Sequence, residues 1–373
     1  MAEAALHDLA ANPAVTQIYA ADINLARAKS VLAKISNRKK IKAVQINIAH
    51  VNDLALSALK GAQCVINASW YEYNLKAMDL ALALRAHYVD LGGLYHMTLK
   101  QLRRSEQFRR AKLLGLLGCG STPGITNMMV ARLAESFDTV DTVGIYNASH
   151  DPSLSDEEFL PPFSLRTMLA EYELDAPVLH NGRIKNVPAR GGAESLDFKK
   201  PIGRVALVAA IHSETATLPG YLKDKGVKNV FFKIAYPESV TRRLSELAAM
   251  ERPAALARHA PDQAVQQQQT AAPNDFEILR VNMTGKSRGQ ALAKTWDCEI
   301  RPTPLLSAGS AAVGFTASIG AAMLVKGRTS VVSGTGAPES FLSTDAFFEE
   351  LKSRKIFSFV ENPMTELSVG EKP

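Results

Sequence analysis

Asp22 closes a short apolar run, Val15 to Ala21, that follows a helical segment stopped at Asn12-Pro13. Proline has no N–H and disfavours helix in the residue before it, so the helix ends there. In a dinucleotide-binding βαβ unit, an acid at the end of the second strand accepts both ribose hydroxyls of NAD and would repel the 2′-phosphate of NADP. The same carboxylate could instead cap the helix that starts near Ile23. Arg27, one turn into that helix, keeps NADP open. Three further stretches and two histidines are suited to chemistry. Asn67-Ala68-Ser69-Trp70-Tyr71 offers small residues where a backbone must approach a dinucleotide, and Tyr71 as a group toward the substrate. In YVDLGG, Asp90 could orient an amine or a ring, while Gly92 and Gly93 permit a tight turn. GCGSTPGITN sets three glycines and a proline before a helix whose free N–H groups favour a carboxylate or carboxamide, with Asn127 in the first turn. His96 and His212 are the candidate proton-transfer groups, because imidazole titrates near neutral pH.

Other chemistries find little support. No His/Cys/Asp cluster has metal-ligand spacing, so no metal is expected, and neither a nucleophile elbow nor a Walker loop occurs. The three cysteines are far apart without a CxxC pair, which argues against a disulfide framework and for a reducing, cytoplasmic setting. Basic residues number 43 against 37 acidic, a net +6 spread along the chain. The densest basic stretch, Arg103 to Lys112, lacks interleaved aromatics, so nucleic acid is not expected as a partner. No 18-residue apolar stretch is free of polar residues, and the alanine-rich start contains Glu3, His7 and Asp8, so neither a membrane span nor a signal peptide is expected.

The elements that must position these residues follow from periodicity. With 373 residues, 46% hydrophobic and 21% charged, two domains are the default. Up to about residue 138, apolar strands (KAVQINI, CVINA, HYVDLGG, LLGLLG) alternate with helical patterns (from Leu25 to Ile35, then NDLALSALKG, NLKAMDLALALRA and TLKQLRRSEQFRRAKLL), and a helix follows from Gly124 to about Ser136. That alternation predicts an α/β domain with a parallel Rossmann-type sheet, residues 1–138. After Thr139 strands and hairpins dominate, with GKSRG as a hairpin loop, so residues 139–304 read as an α+β, mostly antiparallel substrate and dimerisation domain. ARHAPDQAVQQQQTAAPN reads as a surface loop or linker, and GSAAVGFTASIGAAMLVKG as a long helix whose small residues imply close packing against a helix or the cofactor-domain sheet.

Several segments together resemble the saccharopine dehydrogenase superfamily, in its lysine 6-dehydrogenase-like and carboxynorspermidine-dehydrogenase-like branches. They are VTQIYAADINLARA, CVINASWYEYNLKAMDLAL, HYVDLGG, GCGSTPGITN, FSLRTMLAEY, HSETATLP, VKNVFFKIAYPE, the small-residue helix and TGAPESFLSTDAFFEELKSRKI. The resemblance implies an NAD(P)-dependent oxidoreductase acting on a C–N bond of an amino acid or polyamine precursor. It also implies a homodimer, with residues 305–373 forming C-terminal helices that return to the Rossmann domain. By position, it makes Asp22, Asn67, Ala68, Asp90, Leu91, Gly92, Gly118 and Cys119 cofactor-binding, and Gly120, Pro123, Gly124 and Asn127 substrate-binding. Thr122 stands where several saccharopine-forming members carry an acid. The family pattern also places an apolar strand and a glycine-rich loop before the helix AEAALHDLA, so the expectation is a sheet whose first strand is missing. The rival expectation is a non-catalytic dimeric binding or regulatory protein derived from the same fold.

Overall fold

The helix Ala2–Ala11 ends where Asn12 turns extended, at φ −75° and ψ 117°. Ala10 is buried on β1 (Ile18–Asp22) with Ile18, Ala20, Ile35 and Ile41, and Leu6 and Leu9 pack on the same cluster, so the apolar face of this helix is the one its spacing predicts. The computed structural model describes residues 1–153, 163–249 and 272–362. The chain divides into two units, Met1–Ile125 with Ser310–Ser353, and Thr126–Gly309 with Arg354–Pro373. The expected limits of 138/139 and 304/305 therefore shift, and the final segment is shared between the units.

In the first unit, β1 pairs in parallel with β2 (Ile41–Gln45), from Ile18↔Ile41 to Asp22↔Gln45. A second parallel sheet holds β3 (Cys64–Asn67), β4 (His87–Asp90), β5 (Leu114–Leu116) and β14 (Gly334–Gly336), in the order β14-β5-β4-β3. The two pieces share a core: Tyr19, Val44 and Val65 pack on one cluster with Ile46, Ala55, Leu59 and Leu80. A complete doubly wound sheet has one more strand between the positions of β1 and β3. Here both present an edge without a ladder partner among the described residues. Side-chain caps start two helices as expected, Asn24 for Leu25–Ala33 and Asn52 for Asp53–Ala58. The stretch TLKQLRRSEQFRRAKLL, expected as one helix, is two: Leu94–Leu102 and Ser105–Ala111. The break lets Phe108 bury completely against Tyr88, with ring centroids 6.5 Å apart.

The helix Ala308–Val325 has the length and apolarity to cross a membrane, yet 72% of it is buried inside the protein. Its glycines explain why. A Cβ on Gly314 would strike the backbone of Ala5 at 2.6 Å, and one on Gly320 would come within 2.8 Å of Leu116. The small-residue helix thus packs against both a helix and the cofactor-domain sheet.

The second unit is built on one mixed sheet, in the order β15-β13-β12-β6-β11-β10-β9 with β7 and β8 branching from β11. Its strands are β6 (Thr139–His150), β7 (Ala176–His180), β8 (Arg183–Val187), β9 (Glu194–Asp197), β10 (Arg204–Ala209), β11 (Asn229–Ala235), β12 (Phe276–Ser287), β13 (Gln290–Ile300) and β15 (Phe357–Asn362). Every pairing is antiparallel except β6 with β11. The GKSRG hairpin forms as expected: Arg288 and Gly289 link β12 to β13 at φ 51° and 77°, as a two-residue primed turn requires. The glutamine-rich segment lies outside the described residues except for its last three. β15 adds to β13, so the end of the chain is not helical throughout.

Candidate functional site

Strand ends of the first unit carry the dinucleotide candidates. Asp22 is the last residue of β1, and its Oδ1 accepts from the Asn24 backbone N at 2.8 Å. The helix cap is Asn24 itself, which accepts from Arg27 N at 3.1 Å. Asp22 is therefore not the cap, and its Oδ2 makes no hydrogen bond among the described residues. An acceptor is left over for a ribose hydroxyl, with the exposed Arg27 side chain on the helix that follows.

Asp90 is spent differently. It is 1% exposed at the end of β4. Oδ1 accepts from the backbone N of Gly92 at 2.9 Å and of Gly118 at 2.7 Å. Oδ2 accepts from Gln101 Nε2 and from Asn74 Nδ2 at 3.3 Å. Asn74 Oδ1 in turn accepts from Asn67 Nδ2 at 2.8 Å, and Asn67 Oδ1 accepts from the Ser69 hydroxyl at 2.6 Å. Burial pushes the Asp90 carboxyl up, opposed by the donors at Gly118, Gln101 and Gly92. Four donors fill this carboxylate. It ties the exits of β3, β4 and β5 into one rim, with Ala68 and Leu91 half-buried on it, rather than offering an acceptor to an amine.

The turn from Gly118 to Gly124 closes on itself. Cys119 N donates to Asp90 O at 2.7 Å, Gly120 N to Pro123 O at 2.8 Å and Ile125 N to Gly120 O at 3.0 Å. Gly118 sits at φ +69°, where a Cβ would lie 2.7 Å from Pro123 Cγ; Gly124 sits at +131°, where a Cβ would collide with the Gly120 carbonyl. Cys119 is buried and its thiol donates to Thr316 O at 3.3 Å. Burial raises that thiol far above the ordinary range, so it stays neutral. Tyr71 lies half-buried with its ring edge-on to Trp70 at 5.6 Å. His96 is exposed on the helix Leu94–Leu102, beside Tyr95 at 5.4 Å.

Polar groups also gather inside the second unit. His212 precedes the helix Glu214–Tyr221, and its ring stacks on Phe232 of β11 at 4.0 Å and 15°. Nδ1 is bonded to Glu214 Oε2, while Glu214 Oε1 accepts from Thr126 Oγ1 at 2.9 Å. Nearby Glu171, on the helix Leu165–Glu173, accepts from Tyr236 OH at 2.6 Å. Burial pushes the Glu171 carboxyl up to about 7, opposed by His212 and by the Tyr236 hydroxyl. Burial works against charge on His212, but Glu214 and then Glu171 outweigh it, and the imidazole lies above its ordinary value. Asn127, expected to face a ligand, is fully buried and donates to Thr217 Oγ1 at 3.3 Å. On the same sheet Glu277 is buried, accepts from Asn147 Nδ2 at 2.7 Å, and leaves Oε2 without a partner. Burial pushes it up to about 7 as well. No group of three or more His, Cys, Asp or Glu disposed to hold a metal ion occurs among the described residues.

Comparison with known proteins accounts for both halves. The model for the saccharopine dehydrogenase NADP binding domain matches residues 1–116, and that for the saccharopine dehydrogenase C-terminal domain matches residues 120–356. The chain belongs to the saccharopine dehydrogenase family. Among curated members it is similar to carboxynorspermidine synthase of Vibrio alginolyticus, 24% identical over 207 residues, 51% of this chain and 48% of that protein. It is also similar to carboxyaminopropylagmatine dehydrogenase of Synechocystis, 27% identical over 170 residues, 43% of this chain and 42% of that protein. The matches span about half the length of these relatives. Its fold matches that of the saccharopine dehydrogenase (L-Glu forming) of Saccharomyces cerevisiae with a TM-score of 0.70 at 14% identity, over 97% of this chain and 98% of that one.

The structure gathers Asn67, Asp90, Gly92, Gly118 and Cys119 into one bonded rim. His96 is exposed and takes no part in that network among the described residues. The partners of His212 escaped the sequence reading. Glu214 could have been found, since HSE sets an acid two residues past the histidine just where a helix begins. Glu171 could not: it is 41 residues upstream, and only the packing of two helices and β11 brings the charges together.

Proposed function

We propose that this chain is a nicotinamide-dependent oxidoreductase that interconverts C–N and C=N bonds in an amino acid or polyamine precursor. The observation that carries the reading is the succession of both family domains along the chain, with an acid left half-satisfied at the end of β1. The cofactor supplies hydride chemistry; the chain binds it and orients the amine. The names of the two curated relatives support a polyamine-type amine as substrate.

NAD is favoured over NADP, since Asp22 Oδ2 would face a 2′-phosphate with like charge. The family model is named for NADP, and Arg27 is the residue that would accept that phosphate. Titration of both dinucleotides decides: tighter NAD binding that weakens about tenfold in Asp22→Ala is expected, about 1.4 kcal/mol. Tighter NADP binding unchanged by that substitution would sink the assignment. A cytoplasmic homodimer completes the reading, and light scattering that returns a monomer mass would refute the dimer. Turnover is tested at 340 nm with amino acids and diamines; no amine-dependent absorbance change would refute the oxidoreductase reading.

A further inference from the structure

A buried imidazole needs both nitrogens satisfied if it is only part of a core. His212 is 6% exposed and has one nitrogen engaged: Nδ1 on Glu214. Nε2 has no partner among the described residues and is not one of the fully buried unpaired atoms, so it is open to a group from outside. The ring cannot swing freely, because it lies stacked on Phe232. Glu214 is itself fixed, 0% exposed and bonded from Thr126 at 2.9 Å. An imidazole held through Nδ1 by an anchored carboxylate and open at Nε2 is the geometry of a general acid–base group, whose tautomer and direction are set by its partner.

A second carboxylate is more than a structural pair needs. Glu171 is 4% exposed, held by Tyr236 OH at 2.6 Å, and its charge acts on His212 and on Glu214. Two carboxylates in a dry interior cannot both ionise against one imidazolium without cost. Glu171 and His212 both lie above their ordinary values, so each keeps its proton further into the neutral range than a solvated group would.

We propose that His212 Nε2 passes the proton to and from the substrate nitrogen, with Glu214 and Glu171 as positioning residues that set its charge; this rests on the oxidoreductase reading above. A bound nicotinamide would supply the hydride chemistry; in the oxidative direction the substrate nitrogen gives its N–H proton to Nε2 as C–N becomes C=N. In the reductive direction the protonated ring returns it to nitrogen.

Two measurements test this on the full chain. The first is a pH titration of histidine-labelled protein by nitrogen NMR, in the wild type, Glu214→Gln and Glu171→Gln. His212 should titrate above an ordinary histidine, fall most in Glu214→Gln and fall measurably in Glu171→Gln. A His212 resonance unmoved by Glu171→Gln overturns the role of the second carboxylate. The second is turnover with a diamine and the dinucleotide. His212→Asn, whose amide can still donate to Glu214, should lower kcat roughly 10²- to 10⁴-fold with unchanged dinucleotide Kd, and Glu171→Gln should move the pH limb of kcat to lower pH. Turnover that survives His212→Asn overturns the proposal alone. A coupled titration with no amine-dependent turnover in the wild type overturns the oxidoreductase reading, and the catalytic role with it. Should His212→Asn not fold, the pH limb of Glu171→Gln decides, and a limb that stays in place counts against the proposal.

Discussion

Two buried polar clusters, one in each unit, use the same residue types to opposite ends. Around Asp90 a single carboxylate meets four donors, two of them backbone N–H groups, and neighbouring amides extend the chain of bonds to Asn67 and Ser69. Around His212 two carboxylates meet one imidazole, and a ring nitrogen is left over. Saturation makes the first cluster a frame, since any change in it strands a buried donor. The second cluster instead leaves a ring nitrogen open to a further partner. The difference lies in the count of donors against acceptors, not in burial, which is nearly complete in both.

The largest effect should come from breaking the frame. Asp90→Leu strands Gly92 N, Gly118 N, Gln101 and Asn74 together, and a loss of about 4 kcal/mol in urea unfolding is expected. His212→Asn should cost less than half of that, because Glu214 keeps a donor. Equal losses would erase the distinction between the clusters.

Next is the pH dependence of stability. Glu171 and Glu277 are pushed up to about 7, and His212 also lies above its ordinary value. In each case the folded state holds a proton that the unfolded chain has already released. The stability these groups contribute is therefore full below about pH 4.5 and is lost as pH rises toward 8. Glu277→Gln keeps the bond from Asn147 and removes one of these groups, so it should recover on the order of 3 kcal/mol at pH 8 and little at pH 5. Thermal melts at the two pH values check it; a gain of the same size at both would contradict the protonation account.

The smallest effect is expected at Asp22, at the end of β1. Asp22→Asn retains an oxygen for Asn24 N, so unfolding should change by less than about 1 kcal/mol. A larger loss would make Asp22 part of the fold's support and count against the proposed ribose role.

Much of this was legible beforehand, and the limits are physical. Strand and helix alternation, the Asn24 and Asn52 caps and the Arg288-Gly289 turn are local, and periodicity shows them. The break before Ser105 was hidden, because the stretch keeps helical spacing across Arg103 and Arg104 and only the burial of Phe108 requires two helices. Sheet order was hidden too: β6 pairs in parallel with β11 across more than 80 residues. The place of Asp22 at the end of β1 could be read from spacing, and Asp90 could be found but not its hydrogen-bond partners. Its saturation depends on Gln101 and Gly118, each of which looks ordinary alone.

The last strand of the β14-β5-β4-β3 sheet has a consequence in time. Gly115 of β5 pairs with Thr335, and Ser105 Oγ accepts from the same residue's backbone N at 3.1 Å. While the chain is being made, everything needed for the first unit except residues 310–353 leaves the ribosome early. At about 5–20 residues per second, β5 then waits roughly 10 to 45 s with a bare edge while the whole second unit is synthesised. A nascent chain in that interval is open to holding chaperones and to mispairing. A stall or cut anywhere between β6 and β14 would release a first unit that lacks its own outermost strand.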